Sequence, residues 1–222
     1  MCRAMAKREA FISAILIGAG ESKRMGKDKL RLPWGKSTVF EQCLNTLLQS
    51  ELGEVVVVLR SLSEEFEDEI DGYPTFKKKK IRIVVNPDYQ RGMSSSIVRG
   101  LKYLHPRSRG VLIALGDQPL LKTRTIDALI HAFARRGGRI AVPYYKGMRG
   151  TPILFDRDYV KDLMELRGDT GGRRIVETHA DKVVRVRTRS EAVIRDIDTR
   201  EEYERQKAID RRRKTKDRWR VG

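Results

Sequence analysis

Residues 12–32 read ISAILIGAGESKRMGKDKLRL, an apolar run that ends at two closely spaced glycines and continues into cationic side chains. A short, continuous apolar run is typical of a strand buried on both faces of a parallel sheet. Gly18 and Gly20 end this run, and glycine permits positive φ and lets backbone amides approach a ligand closely. The next nine positions carry Lys23, Arg24, Lys27 and Lys29. Converging amides followed by four cations predict a cradle for a triphosphate.

Two other phosphate-binding motifs fit this region poorly. A dinucleotide fingerprint requires glycine three places after the second glycine, where Lys23 stands. A P-loop requires glycine five residues before the GKS triplet at 35–37, where Leu30 stands. Thr38 and Glu41 are instead spaced as a capping box and predict a helix start. The alternative to a phosphate cradle is a solvated basic loop after a buried strand.

The chain alternates between strand-like and helix-like segments. Short apolar segments rich in β-branched residues predict strands at residues 14–17, 55–59, 81–85, 111–115 and 140–142. Helical spacing predicts helices at residues 39–48, 64–70, 95–104 and 125–134. Alternation of this kind indicates an α/β fold with a mostly parallel, doubly wound sheet. Ligands of such sheets lie beyond the carboxyl ends of the strands, so the residues just after each strand are the informative ones.

The pattern changes after Pro143. Further elements are predicted as an edge strand at 152–155, a short helix at 159–166, a loop at 167–174, a strand at 183–186 and a charged helix from about residue 200. We interpret residues 1–204 as one domain. Its nucleotide-binding half covers about 12–143, an acceptor-binding elaboration covers about 144–198, and residues 205–222 form a basic C-terminal helix or tail.

The net charge of +17 in 222 residues is large and uneven. Residues 205–222 carry nine Lys or Arg against Asp210 and Asp217, which allows an alternative function as a module that binds nucleic acid or acidic protein. This tail has Trp219 as its one aromatic residue and no nucleic-acid motif precedes it, so nucleic acid is not the expected partner. A highly charged surface, as in thermophilic proteins, is the explanation of this composition that we favour.

Cysteine content and hydropathy argue against disulfide-rich, zinc-binding, membrane-spanning and secreted classes of protein. Cys2 and Cys43 are the two cysteines, too few for a disulfide framework or a zinc site. No apolar stretch approaches the ~20 residues that span a bilayer, and the N-terminus lacks the apolar core of a signal peptide. We therefore expect a cytoplasmic protein with no membrane partner.

Polar residues after two predicted strands are candidates for chemistry. Asp117 follows the strand at 111–115, where it predicts a Mg²⁺ ligand, because magnesium binds one or two carboxylates together with substrate phosphates. The alternative for Asp117 is a turn or N-cap residue. Asn86, Ser94 and Ser95 surround the start of the next helix, where they suit either helix caps or a pocket for a base or ribose.

Six motifs together resemble the molybdenum cofactor nucleotidyltransferase family, and in particular its cytidylyltransferase branch. The resemblance covers about residues 12–204. The motifs are IGAGESKRMGKDKLRLPWG, NPDYQRGMSSSI, ALGDQPLL, YKGMRGTPILF, RGDTGGRR and DIDTREEY. The resemblance implies a Rossmann-like three-layer fold and transfer of CMP from CTP to the phosphate of a molybdopterin-type acceptor, with release of pyrophosphate.

The same resemblance implies roles for individual residues. Arg24, Lys29 and Asp117 would be catalytic, and Asp117 would hold Mg²⁺ with Asp198, or less preferably with Asp196. The nucleotide would be bound by Gly18, Ala19, Gly20, Lys29, Asn86, Ser94 and Ser95. The acceptor would lie toward Arg149, Gly150, Asp169, Gly171 and Arg173.

Several alternatives stay open within this family. Cytidylyl enzymes usually have two alanines before the final glycine of the first motif, and here Ala19 matches but Gly18 does not, so GTP is the alternative nucleotide. A sugar phosphate is an alternative acceptor. Some proteins similar to this family are reductases that bind a nicotinamide cofactor. A molybdoenzyme that receives the product would be a transient partner.

Overall fold

The computed structural model describes residues 10–20, 28–62, 80–137 and 139–218. Over these ranges the strands are β1 (Ile12–Gly18), β2 (Pro33–Trp34), β3 (Ser37–Thr38), β4 (Glu54–Leu59), β5 (Ile81–Val85), β6 (Gly110–Leu115), β7 (Ile140–Tyr145), β8 (Met148–Arg149), β9 (Ile153–Asp156) and β10 (Val183–Arg187). The helices are α1 (Val39–Leu48), α2 (Met93–Leu101), α3 (Thr123–Arg135), α4 (Val160–Met164), α5 (Arg173–Thr178) and α6 (Arg200–Arg218).

The central sheet has the order β10-β7-β9-β6-β1-β4-β5, and β8 pairs with β7. Strands β6, β1, β4 and β5 run parallel to one another, whereas β9 runs antiparallel to both of its neighbours. Alternate residues of β1 enter different cores: Ile12, Ala14 and Leu16 face α1 and α3, while Ile15 faces α2. This alternation builds three layers, with helices on both faces of a mostly parallel sheet, as the sequence predicts.

The predicted elements that fall on described residues agree with the structure in kind, with two corrections. The stretch at 152–155 is an internal strand and not an edge strand, because Pro152 precedes β9 and removes no ladder hydrogen bond, while Ile153–Asp156 pairs on both sides. The loop predicted at 167–174 ends where α5 begins. The boundary between the two halves of the domain, predicted at about residue 143, falls inside β7. The division into two halves stays a prediction. The helix predicted at 64–70 lies outside the described residues.

The capping box predicted for the first helix is present. Thr38 Oγ1 accepts from the Glu41 amide at 3.3 Å, and the Glu41 carboxylate accepts from the Thr38 amide at 2.8 Å. Cys43 is buried in α1 within the core, and burial raises the pKa of its thiol. Gly35 and Lys36 of the GKS triplet therefore form the turn between β2 and β3, and Ser37 belongs to β3 just before α1, as the rejection of a P-loop requires.

A third apolar cluster joins the C-terminal part of the chain to the short hairpin of β2 and β3. We call residues 190–199 the strap. Its residues Val193 and Ile197 are buried beside Trp34, and Tyr203 of α6 donates from its hydroxyl to the Pro33 carbonyl at 2.6 Å. The strap also contacts the turn that follows β6, where the Ile197 amide donates to the Asp117 carbonyl. Among the described helices, none is long and apolar enough to cross a membrane.

Candidate active site

A cavity of about 560 Å³ lies beyond the carboxyl ends of β1 and β6. Strand order changes direction here, because β4 and β5 lie on one side of β1 and β6 on the other, and ligands of open α/β sheets bind at such a switch point. The lining residues are Ile17, Ala19, Gly20, Lys29, Leu30, Tyr89, Gln90, Gly92, Met93, Ser96, Leu115, Gly116, Asp117, Asp169, Asp196 and Asp198.

The two glycines of the first motif have different environments. Gly18 is packed against the Phe40 ring, and a Cβ atom at this position would lie 2.5 Å from Phe40 Cε2. Gly116 at the end of β6 meets the same ring, so both glycines make room for Phe40. Gly20 lines the cavity, and a Cβ there would meet nothing within 4 Å. Neither Gly18 nor Gly20 has positive φ. Positive φ is therefore not the reason for glycine at these two positions.

Lys29 is the cation among the described residues that line the cavity. It begins the short 3-10 helix Lys29–Arg31, and the Asp28 side chain caps that turn by accepting from the Leu30 amide at 3.1 Å. Leu30 is buried and anchors the turn against the core. Arg24 and the other cations before residue 28 lie outside the described residues.

The Lys29 ammonium lies between two carboxylates. Its Nζ donates to Asp117 Oδ2 at 2.7 Å and to Asp198 Oδ1 at 2.9 Å. Asp117 comes from the turn after β6, whereas Asp198 comes from the strap. Two carboxylates that lie far apart in the sequence therefore contact the same cation.

The strap is fixed to the Asp117 turn and to the β8–β9 connection. The Ile197 amide donates to the Asp117 carbonyl at 3.1 Å, and the Thr151 amide donates to the Val193 carbonyl at 2.8 Å. Gly150 lies against the strap so closely that a Cβ would be 2.3 Å from the Val193 carbonyl oxygen. Gly150 therefore has a packing reason to be glycine.

Among the described residues that line the cavity, carboxylates outnumber cations. Burial raises the pKa of Asp117; the Lys29 charge opposes this shift, and Asp196 and Asp198 add to it. Burial alone would lower the pKa of Lys29, but the charges of Asp117 and Asp198 outweigh it and the pKa is raised. Lys29 therefore stays cationic, and the carboxylates outnumber the described cation that contacts them.

Asp117 and Asp198 fit a divalent cation. Asp117 Oδ1 is buried and has no hydrogen-bond partner in the described part of the protein, which leaves a carboxylate oxygen available to a ligand. Asp117 and Asp198 also contact the same ammonium, so two carboxylates face one position in the cavity. Magnesium typically takes one or two carboxylates and completes its shell with phosphates and water.

The residues predicted to bind the base or ribose stabilise the start of α2. Asn86 is buried and donates from Nδ2 to Ser95 Oγ at 2.9 Å and to Ser96 Oγ at 3.0 Å. Ser94 Oγ donates to the Gly168 carbonyl at 2.7 Å. Ser96 lines the cavity, whereas Asn86, Ser94 and Ser95 are not among its lining residues.

The residues predicted for the acceptor fall into two groups. Asp169 lines the cavity, and its carboxylate accepts from the Met93 amide at 3.3 Å. Arg149 and Arg173 both donate to Glu177 Oε1, at 3.1 and 2.9 Å, outside the cavity lining. Gly171 packs near the Met93 sulfur. Asp169 therefore lines the same cavity as Asp117 and Asp198, whereas the two arginines are paired with Glu177.

Sequence reasoning missed the residues that position Asp198. Glu202 Oε2 accepts from the Asp198 amide at 2.8 Å and from the Thr199 amide at 2.9 Å. Thr199 Oγ1 accepts in return from the Glu202 amide at 3.2 Å. The signal was present as Thr199 followed three residues later by Glu202, the spacing of a capping box. Tyr89 and Gln90, which line the cavity, belong to the second quoted motif.

Comparison with known proteins gives consistent family matches. The sequence matches the MobA-like NTP transferase domain over residues 14–183. Purine catabolism protein PucB of Bacillus subtilis (strain 168) is 30% identical over 89% of this chain and 96% of its own length. Nicotine blue oxidoreductase of Paenarthrobacter nicotinovorans is 30% identical over 86% of this chain and 94% of its own length. Molybdenum cofactor cytidylyltransferase of Escherichia coli (strain K12) is 24% identical over 86% and 93%.

Solved structures share the fold. The homologue of Mycobacterium tuberculosis Rv0371c from Mycobacterium sp. strain JC1 superposes with a TM-score of 0.71 and 28% identity, covering 89% of this chain and 95% of that one. Rv0371c of Mycobacterium tuberculosis H37Rv in complex with manganese superposes with a TM-score of 0.69 and 23% identity, covering 88% and 97%.

Proposed function

Because this chain belongs to the MobA-like NTP transferase family, we propose that it transfers CMP from CTP to the phosphate of a molybdenum-molybdopterin cofactor and releases pyrophosphate. Family membership makes it a nucleotidyltransferase with a Rossmann-like fold, as the sequence predicts. The choice of CTP and of this acceptor is our proposal. It draws on the similarity to the Escherichia coli cytidylyltransferase and on the six motifs.

One observation carries the proposal: Lys29 is paired with Asp117 and Asp198 on the floor of the cavity at the switch point. A cation and two carboxylates supply what transfer at a phosphorus atom requires, namely charge that neutralises phosphates and ligands for a divalent cation. The cavity of about 560 Å³ lies within the size range of small-molecule sites.

The proposed reaction forms one bond and breaks one. A phosphate oxygen of the acceptor attacks the α-phosphorus of CTP, and the bond from that phosphorus to the bridging oxygen of pyrophosphate breaks. A phosphate nucleophile is already ionised at neutral pH, so this chain need not supply a general base. The described lining of the cavity contains no histidine, in agreement with that requirement. Lys29 offsets charge on the α-phosphate and the leaving pyrophosphate, with Arg24 as a second candidate.

Asp117 and Asp198 are the proposed ligands of Mg²⁺, and the manganese complex of a similar fold supports a divalent cation. When bound, the ion supplies positive charge against the phosphates. The base and ribose are proposed to lie near Asn86, Ser94, Ser95 and the motif of Gly18, Ala19 and Gly20. The acceptor is proposed to lie near Arg149, Gly150, Asp169, Gly171 and Arg173.

The experiment is an assay of pyrophosphate release with the molybdenum-molybdopterin acceptor, Mg²⁺ and CTP, GTP or ATP in turn. We expect the highest kcat/KM with CTP. Asp117→Asn and Lys29→Ala should each lower turnover on the order of 10²-fold or more, because each removes charge aimed at the reacting phosphates. Asp158→Asn and Lys161→Ala are matched controls on exposed positions outside the cavity and should leave turnover unchanged.

The assay separates the alternatives. Preference for GTP would assign the protein to guanylyl transfer, and turnover with a sugar phosphate alone would replace the acceptor. Full activity of Asp117→Asn would remove the proposed site. The similarity to nicotine blue oxidoreductase favours a second candidate, a redox function. Stabilisation of the protein by NADPH without any pyrophosphate release from a nucleotide would support that function.

A further inference from the structure

A second cavity, of about 490 Å³, lies at the opposite end of the sheet, where β7 and β10 begin. These strands run parallel, with Ile140 paired to Val183, and β10 is the last strand of the sheet. The cavity is lined by Arg136, Arg139, Asp181, Lys182, Val183, Val184 and Arg185. None of these residues lines the nucleotide cavity.

Positive charge dominates this second cavity. Lys182 is paired with Asp181 at 2.9 Å, which leaves three guanidinium groups. Within the described part of the chain, Arg136, Arg139 and Arg185 have no carboxylate partner at ion-pair distance. Arg185 lies over the Tyr144 ring, 5.2 Å from its centroid. Arg136, Arg139 and Arg185 are exposed around one cavity; like charges repel each other, and a bound anion would offset that repulsion.

The backbone conformation of Arg139 is an independent indication that this cavity binds a ligand. Arg139 has φ of 124°, a region that favours glycine and is costly for a residue with a Cβ atom. Strained conformations of this kind are concentrated at functional and ligand-binding positions. The strain places an arginine at the mouth of the cavity where glycine would be unstrained.

The chemistry of the lining selects the class of ligand. Guanidinium groups present planar pairs of N–H donors that match phosphate oxygens, and arginine stays charged at any physiological pH. The outer edge of β10 has no strand partner among the described residues, so its backbone N–H groups add donors. We propose that this cavity is a second binding site for a compact phosphate-bearing anion, separate from the nucleotide cavity and independent of the proposed function.

The test is isothermal titration calorimetry with inorganic pyrophosphate, without divalent cations and at constant ionic strength. The variant is R139G/R185A, which removes two guanidinium groups and relaxes the Arg139 backbone. The control is R82A/R124A, which removes the same charge from exposed positions on β5 and α3. Affinity at this site should fall about tenfold or more in R139G/R185A, the loss expected for charge-assisted hydrogen bonds. The control should bind as the unmodified protein does.

A second measurement separates a binding defect from unfolding. Arg139→Gly should have a Tm without ligand that is no lower than that of the unmodified protein, and a smaller rise of Tm with pyrophosphate. Pyrophosphate binding that is equal in the unmodified protein and R139G/R185A would overturn the proposal. An equal loss in R82A/R124A would also overturn it, because the attraction would then be due to net charge.

Discussion

At the scale of single residues, Lys29 has a role that its motif alone does not indicate. The sequence places it among cations that contact phosphates, whereas the structure pairs it with Asp117 and Asp198. A divalent cation bound to these carboxylates would compete with the Lys29 ammonium for their negative charge. Binding of a divalent cation would therefore release Lys29 toward the phosphates, and the two events would be coupled.

This competition predicts that Lys29→Met raises the affinity for Mn²⁺ in the absence of nucleotide, on the order of tenfold. The reason is that partly buried carboxylates without their partner carry an electrostatic penalty of several kcal/mol, part of which a metal ion recovers. Affinity is measured by electron paramagnetic resonance of free Mn²⁺. Nucleotide affinity should fall in the same variant.

Lys161→Met is the control for this prediction, since Lys161 is exposed on α4 and lies outside the cavity. A lower Mn²⁺ affinity in Lys29→Met than in the control would contradict competition. Such a result would mean that Lys29 orders the carboxylates for the metal.

Gly18 has a packing reason to be glycine, which differs from the reason that the sequence predicts. The sequence assigns it to a phosphate cradle because glycine permits positive φ. In the structure it is glycine because the Phe40 ring occupies the place of a Cβ, and Gly116 serves the same ring from β6. Packing between α1 and two strand ends thus shapes the cavity floor, and no local pattern encodes such a contact between distant residues.

At the scale of elements, α6 positions a candidate metal ligand from outside the cavity. Glu202 lies in the first turn of α6 and accepts from the amides of Asp198 and Thr199. These bonds join the end of the strap to the start of the helix. The direction of Asp198 therefore depends on how α6 begins.

We predict that Glu202→Ala weakens Mn²⁺ binding about tenfold, because it removes two hydrogen bonds to a charged group that fix the Asp198 backbone. Glu202→Gln keeps an acceptor at the same distance along the side chain and should restore most of the affinity. Mn²⁺ titration followed by electron paramagnetic resonance measures both variants.

Glu201→Ala is the matched control, because Glu201 is the exposed neighbour in the same turn. If Glu202→Ala and Glu201→Ala bind Mn²⁺ equally well, Glu202 is a helix cap without influence on the site. A lower Tm alone would not distinguish these roles, and for this reason metal affinity is the deciding measurement.

At the scale of the whole molecule, the C-terminal helix is continuous with the domain beyond the predicted boundary at residue 204. Gln206 is fully buried and donates to the Asp196 carbonyl at 2.6 Å. Ile209 packs against the third apolar cluster. The basic composition of residues 205–222 indicates a tail, but their first turns are part of the structure that holds the strap.

Truncation should distinguish how much the first turns of α6 after residue 204 and the end of α6 each contribute to stability. Deletion of residues 213–222 is expected to leave the Tm within about 2 °C, whereas deletion of 205–222 should lower it by about 5 °C or more. The second deletion removes a buried hydrogen bond and apolar contacts that contribute on the order of 1–3 kcal/mol. Thermal unfolding followed by circular dichroism measures both proteins. Equal Tm values would show that α6 beyond residue 204 contributes nothing to stability.

The sequence by itself determined the layers and the place of the site. Alternation of apolar strands and amphipathic helices up to residue 143 favours a doubly wound sheet, which buries the apolar faces of both, and polar residues after β1 and β6 then lie at one edge. The capping box at Thr38 was equally predictable, because its bonds join residues three apart.

Only the tertiary structure decided which side chains meet. The pairing of Lys29 with Asp198 joins residues 169 positions apart, and it depends on the strap packing against Trp34 and on Gly150 yielding space to Val193. The place of β9 between two antiparallel neighbours likewise follows from buried apolar residues on both faces. Local propensity and spacing describe one segment at a time, whereas contacts of this kind arise when several segments pack together. Sequence patterns therefore determine the elements, and three-dimensional packing determines the site.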